Sequence, residues 1–257
     1  MTIVAVCAAT GSAGATTTAV ALAAMLPDGY PTLLAECDPS GGDVAGWAQL
    51  SASPGWSTAV SAGDRSWAAI ADNTQQLPSG LRLLAAPARA TQAHTAVGEA
   101  TREFAALLAT APDVVTVADC GRVGLDAPPF AVAAQLTLLL VRQSAVSAAA
   151  TVPRVDRAIE ALGVLRTTCR QVGVVLIGGA PYRSTEIAGA LGAELFGAIP
   201  EDAAGAALVA GGWTLGKRAS RSPLAKAAAT LGERVVEAIY GRDHRPDQLW
   251  AVVEAAS

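Results

Sequence analysis

Short, almost unbroken apolar runs alternate along this chain with longer segments whose apolar residues recur at helical spacing. The runs cover Thr2–Ala8, Thr32–Cys37, Leu81–Ala86, Val114–Ala118, Leu136–Val141, Val172–Ile177 and Leu195–Ile199. Each is short and apolar at successive positions, the pattern of a strand buried on both faces of a parallel sheet. Between them, Thr16–Leu26, Ala93–Thr110, Val146–Leu162, Ser184–Leu191 and Ala203–Ala210 read as helices. A last helix is expected over Pro223–Tyr240, with Pro223 suited to its first turn. Alternation of this kind predicts an α/β protein of three layers around a doubly wound, mainly parallel sheet.

Residues 39–80 break the pattern. Pro39, Gly41, Gly42, Pro54, Gly55, Gly63, Pro78 and Gly80 interrupt them, and Trp47, Trp56 and Trp67 all fall there. These rings either pack short helices onto the sheet or offer anchors to a partner. No internal repeat or low-complexity linker divides the chain. One domain is expected over 1–241, followed by a tail over 242–257 that carries Pro246.

Composition narrows the function. Hydrophobic residues are 52 % and charged residues 16 % of the 257, a globular balance. The net charge of −4, with no basic block, argues against a nucleic-acid surface. Cys7, Cys37, Cys120 and Cys169 are widely spaced with no C-x-x-C pair, so neither a disulfide framework nor a zinc site is expected and a reducing cytoplasm fits. His94 and His244 are the only histidines and lack ligand-like neighbours. The start Thr2-Ile3-Val4-Ala5-Val6 has no basic flank or cleavage pattern, so no signal peptide is expected. No apolar stretch is long enough to span a bilayer.

The chemistry concentrates between the first strand and the first helix, in Ala9-Thr10-Gly11-Ser12-Ala13-Gly14-Ala15-Thr16-Thr17-Thr18. Glycines there let successive backbone N–H groups turn toward an anion, and the following helix adds the positive end of its dipole. A phosphate-binding P-loop belongs at this place, yet Ala15 stands where its lysine is expected. A dinucleotide loop needs G-x-G-x-x-G, whereas Gly11 is followed by Ser12, Ala13 and Gly14. A short-chain-reductase loop would place further glycines where Ala15 and Thr17 stand.

With the segments that follow, this loop resembles the ParA/MinD group of P-loop ATPases, from the first strand to about residue 240. The family loop K-G-G-x-G-K-T-T is represented by Thr10-Gly11-Ser12-Ala13-Gly14-Ala15-Thr16-Thr17: two glycines and both threonines match, and both lysines are replaced. Glu36-Cys37-Asp38-Pro39-Ser40-Gly41 resembles the family's D-x-D-P-x-G and puts its hydrolytic aspartate on Asp38. Asp113-Val114-Val115-Thr116-Val117-Ala118-Asp119 is similar to the Walker B strand, which implies that Asp119, with Thr16, serves magnesium. Pro200-Glu201-Asp202 resembles the I-P-x-D segment beside the base, while Gly178-Gly179 replace the Asn expected to contact adenine.

The resemblance implies a nucleotide site formed by Gly11, Ser12, Ala13, Gly14, Ala15, Thr16, Thr17, Pro200 and Asp202, with ATP and magnesium held weakly. Loss of both lysines points to a pseudo-ATPase that works as a scaffold or positioning factor. A divergent loop is also a feature of the CpaE/TadZ branch, which localises pilus machinery at cell poles; the receiver-like N-terminal domain of that branch does not appear in this sequence. Protein partners, among them pilus or secretion components, and a homodimer are expected, with recruitment to a membrane or pole only through a partner. The alternatives are an active ATPase whose cation comes from Arg122 or from another chain, and a nucleotide-independent interaction module docking through the three tryptophans. Lys217, Arg218 and Arg221 form a small basic cluster that reads as a solvated face or partner contact. The end, Asp247-Gln248-Leu249-Trp250-Ala251-Val252-Val253-Glu254, has an apolar stripe with acidic flanks and lacks the basic amphipathic character of a membrane-surface helix.

Overall fold

The computed structural model describes residues 2–110, 114–144, 147–211 and 221–242. Asp113, Val146, Lys217, Arg218, His244 and the segment 243–257 lie outside the described residues.

The apolar runs become strands of one sheet. In chain order the elements are β1 (Thr2–Ala8), α1 (Ala15–Ala24), β2 (Thr32–Glu36), α2 (Val44–Trp47), α3 (Trp56–Ser61), α4 (Trp67–Asp72), β3 (Gln75–Gln76) and β4 (Arg82–Leu84). There follow α5 (Ala90–Thr110), β5 (Val115–Arg122), α6 (Pro129–Ala133), β6 (Leu136–Arg142), α7 (Ala148–Thr168), β7 (Val172–Ile177), α8 (Ser184–Leu191), β8 (Leu195–Ile199), α9 (Ala203–Ala210) and α10 (Pro223–Tyr240). The strands lie in the order β3-β4-β2-β5-β1-β6-β7-β8, all parallel to their neighbours except the antiparallel pair β3 and β4.

Period-two alternation divides each strand between two cores. On β1, Val4, Val6 and Ala8 face α1, α2, α9 and α10, whereas Ile3, Ala5 and Cys7 face α3 to α8. Both faces are dry, which is why these strands read as continuous apolar runs instead of alternating ones. The three expected layers are thus present.

Three features differ from the sequence reading. β5 continues past Ala118 through Asp119 to Arg122, because its backbone stays paired with β1 as far as Ala8. α7 runs on to Thr168, past the expected stop at Leu162, because Leu165 is still buried against the sheet. The irregular segment adds β3, a two-residue strand too brief to show a period, beside the short helices α2, α3 and α4 that its tryptophans help pack.

The tryptophans of that segment face inward. Trp56 is wholly buried, its ring centroid 5.9 Å from that of Phe104 and 5.7 Å from that of Phe130. Trp47 and Trp67 are partly buried and pack against opposite cores. Among the described residues no helix is long and apolar enough to cross a membrane.

Candidate functional site

The carboxyl ends of β1, β2, β5 and β6 converge at the middle of the sheet, where ligands bind in open α/β folds. The loop after β1 turns there on two left-handed residues, Ser12 with φ 59° and Gly14 with φ 88°. Gly14 caps α1, and its carbonyl accepts the Thr18 amide at 2.9 Å. A side chain built at Gly11 or Gly14 would meet nothing within 4 Å, so the loop backbone faces open space. Gly11 and Ser12 are exposed, Ala13 is buried, and Ala15, Thr16 and Thr17 are half-buried on the first turn of α1. Thr10, where the family's other lysine stands, is buried at the root of the loop.

Beneath the loop lies the buried carboxylate of Asp119, with the Thr16 side chain as its neighbour. The Gly121 amide donates to Asp119 Oδ1 at 3.3 Å. Desolvation dominates this carboxyl and pushes its pKa up to about 7; Thr16 and Gly121 pull it down, and the charges of Asp38 and Glu36 add to the rise.

Asp38 follows β2. Its Oδ1 accepts the Ser40 amide at 2.7 Å, and its carboxylate occupies the space where a side chain on Gly121 would be, with Gly121 at φ 65°. The Cys37 amide donates to the Asp119 carbonyl at 2.7 Å, tying the two strand ends together. Glu36, at the first position of the acidic motif, does other work. Its Oε1 accepts the Val44 amide at 2.8 Å, its Oε2 accepts the Ala86 amide at 3.0 Å, and burial raises its pKa despite those donors. Its side chain therefore braces the loops after β2 and β4. No ion pair links Glu36, Asp38 or Asp119 to a lysine or arginine among the described residues.

Pro200 and Asp202 lie after β8, two strands beyond β6. Pro200 is exposed. The carboxylate of Asp202 caps α9 by accepting the Gly205 amide at 2.8 Å and reaches the start of α10 through the Leu224 amide at 3.0 Å. Those donors hold its pKa below the ordinary carboxylate value. Arg122 emerges exposed at the end of β5, in register with Ala8 at the root of the loop, and makes no ion pair among the described residues.

Three thiols lie under this site. Cys7, Cys37 and Cys120 are buried, and Cys169 is half-exposed. A hydrogen bond with Cys7 and burial push Cys120 far up, and burial does the same to Cys37.

A group missed in the sequence reading sits over the loop. Arg142, the last residue of β6, donates from Nη1 to the Ser12 carbonyl at 3.0 Å. Its Nε and Nη2 donate to Glu201 Oε1 at 3.1 and 2.8 Å. The available signal was an arginine ending a strand of Leu, Thr and Val, but only the strand order reveals that β6 neighbours β1.

The donor set suits magnesium as it binds beside phosphates: one threonine hydroxyl and one carboxylate, the remaining positions left to water and ligand oxygens. Among the described residues no group of three or more metal-binding side chains forms a dedicated cage.

No family model matches the chain, and no curated protein is similar to it in sequence. Solved structures are similar in fold. A ParA family ATPase from Chlorobium tepidum TLS is 18 % identical, with a TM-score of 0.70 over 90 % of this chain and 97 % of its own. The fold is that of the ParA and MinD ATPases. The same ParA/MinD fold is found in the MinC:MinD cell division complex of Aquifex aeolicus, 15 % identical, with a TM-score of 0.71 over 96 % of this chain and 99 % of that one. Cobyrinic acid a,c-diamide synthase from Mycobacterium smegmatis, seen with an ATP analogue and magnesium, is 16 % identical, with a TM-score of 0.64 over 94 % and 97 %.

Proposed function

We propose that this chain is a ParA/MinD-type pseudo-ATPase: a weak magnesium–nucleotide binder that acts as a scaffold or positioning factor through protein partners. The observation that carries the reading is the buried Asp119 carboxylate, with Thr16 beside it, beneath a glycine loop that has Ala15 and Thr10 at both lysine positions. Backbone amides, the α1 dipole and a magnesium ion on Thr16 and Asp119 would hold the phosphates, with Asp38 beside them and Pro200 and Asp202 on the base side. What is missing is the loop's own lysine charge. At ~4 Å and an effective dielectric of ~20, a lysine–phosphate pair is worth about 4 kcal/mol before desolvation. Its loss lowers binding or turnover by roughly two to three orders of magnitude at ~1.4 kcal/mol per decade.

Likeness of fold alone does not choose among functions, since this fold serves an assembly bound to MinC as well as an amide-forming synthase. The scaffold reading draws on the loss of the loop charge and on the first of these neighbours, which works in a complex with a partner. A homodimer and a partner from a pilus, secretion or other envelope assembly belong to the same proposal. Calorimetric titration with Mg·ATP, together with phosphate-release assays, tests it. Weak binding without measurable turnover is expected, with Ala15→Lys tightening the binding; micromolar affinity with clear turnover in the wild type overturns it.

The second reading is an active ATPase that takes its cation from Arg122 or from another chain. The exposed position of Arg122 at the root of the loop favours it. Turnover that disappears in Arg122→Ala would establish it.

A further inference from the structure

β6 is apolar from Leu136 to Val141 apart from Thr137, and ends on an arginine. Because β6 pairs with β1, Arg142 emerges beside the loop that follows β1. Its guanidinium makes three hydrogen bonds: one to the Ser12 carbonyl and two to Glu201 Oε1. Ser12 comes from the loop and Glu201 from beyond β8, so this one side chain bridges the phosphate loop and the segment after the last strand, across the end of β7.

An ordinary surface pair would explain the contact with Glu201, since both side chains are a little over a third exposed and such pairs contribute little. It does not explain the third donor. Ser12 is a non-glycine residue held at φ 59°, and Nη1 lies on its carbonyl. The guanidinium is therefore built into the loop. The chain holds only two lysines, Lys217 and Lys226, and Lys226 lies in α10. Asp119, Asp38 and Glu36 gather negative charge under the same loop without an ion-pair partner among the described residues. A guanidinium offers a rigid planar fork of donors that matches phosphate oxygens bidentately, where an ammonium acts as a point charge.

We propose, resting on the nucleotide reading of the loop, that Arg142 is the phosphate-neutralising cation of this site and that Glu201 is an internal anion that holds it until a ligand arrives. A nucleoside polyphosphate on the loop amides competes with the Glu201 carboxylate for Nε and Nη2. The ligand class follows from this exchange: affinity rises with the number of phosphates, and Glu201 sets a threshold that weakly charged ligands do not cross.

The test is titration of the full chain with ATP, ADP and AMP, each with magnesium, at two salt concentrations. Arg142→Ala is expected to weaken ATP binding about tenfold, and AMP binding far less, through loss of charge-assisted hydrogen bonds. Arg142→Lys should restore part of the affinity. Glu201→Gln leaves the arginine in place without its competitor and should tighten ATP binding roughly two- to fivefold, the range of an exposed pair. That variant carries the test if Arg142→Ala fails to fold. ATP binding that is equal in wild type and Arg142→Ala, or unchanged or weaker in Glu201→Gln, overturns the role of Arg142 and leaves the nucleotide reading standing. Absence of any nucleotide binding in the wild type, Ala15→Lys and Glu201→Gln overturns both.

Discussion

The indole N–H of Trp56 donates to the backbone carbonyl of Glu36 at 2.7 Å, from a ring with no exposed surface. The bond fastens the end of β2, from which Asp38 follows two residues later, to a helix of the irregular segment. The ring thus serves the site from behind, through the core. Trp56→Phe should keep most of the packing but leave the carbonyl without its donor, destabilising the fold by about 1–3 kcal/mol. Trp56→Ala should cost more, about 3–5 kcal/mol. Urea denaturation of both variants checks the order.

Gly121→Ala should be destabilising for two reasons that act together. Its φ of 65° strains any side chain, and the new methyl would overlap the Asp38 carboxylate. About 1–3 kcal/mol is expected from the backbone alone. Asp38 must also move, so a nucleotide titration of this variant should change even where the protein remains folded.

Glu36 carries a pH dependence. Burial raises its carboxyl above the ordinary value of 4.5, against the pull of the Val44 and Ala86 amides. A carboxyl that binds its proton more readily in the folded chain stabilises the fold fully below its unfolded pKa. That contribution is lost as pH rises through the higher folded value. Thermal unfolding from pH 4 upward should show this decline. Glu36→Gln should remove that part of the slope, while losing about 1–3 kcal/mol because its single carbonyl oxygen cannot serve both amides.

How much of this could be read beforehand depends on what each feature is made of. Thr2–Ala8 announced itself as β1 because both faces of the strand are dry. Gln75–Gln76 could not, since a two-residue polar edge strand has no hydrophobic signature. Asp38 and Asp119 were found through the motifs around them. Arg142 was not, because its significance comes from the neighbour relation of β6 and β1, residues 130 positions apart meeting at Ser12. The capping bonds of Asp202 were hidden in the same way, since its partner Leu224 lies 22 residues on.

Thr16→Ala separates the magnesium role from the general fold. Thr16 is half-buried beside Asp119, so its loss removes a polar neighbour from a desolvated carboxylate. Magnesium-dependent strengthening of ATP binding should fall about tenfold, the size of one charge-assisted bond, while binding measured without the metal changes little. Parallel titrations with magnesium and with a chelator read the difference directly.

The three sealed cysteines give the molecule a built-in clock. An alkylating reagent needs access to the thiol; Cys7, Cys37 and Cys120 offer none until the sheet separates, whereas Cys169 is half-exposed. Mass spectrometry of chains exposed to reagent for increasing times should therefore resolve a singly tagged population that converts to the fully tagged form in one jump. The pace of that jump is the lifetime of the closed sheet.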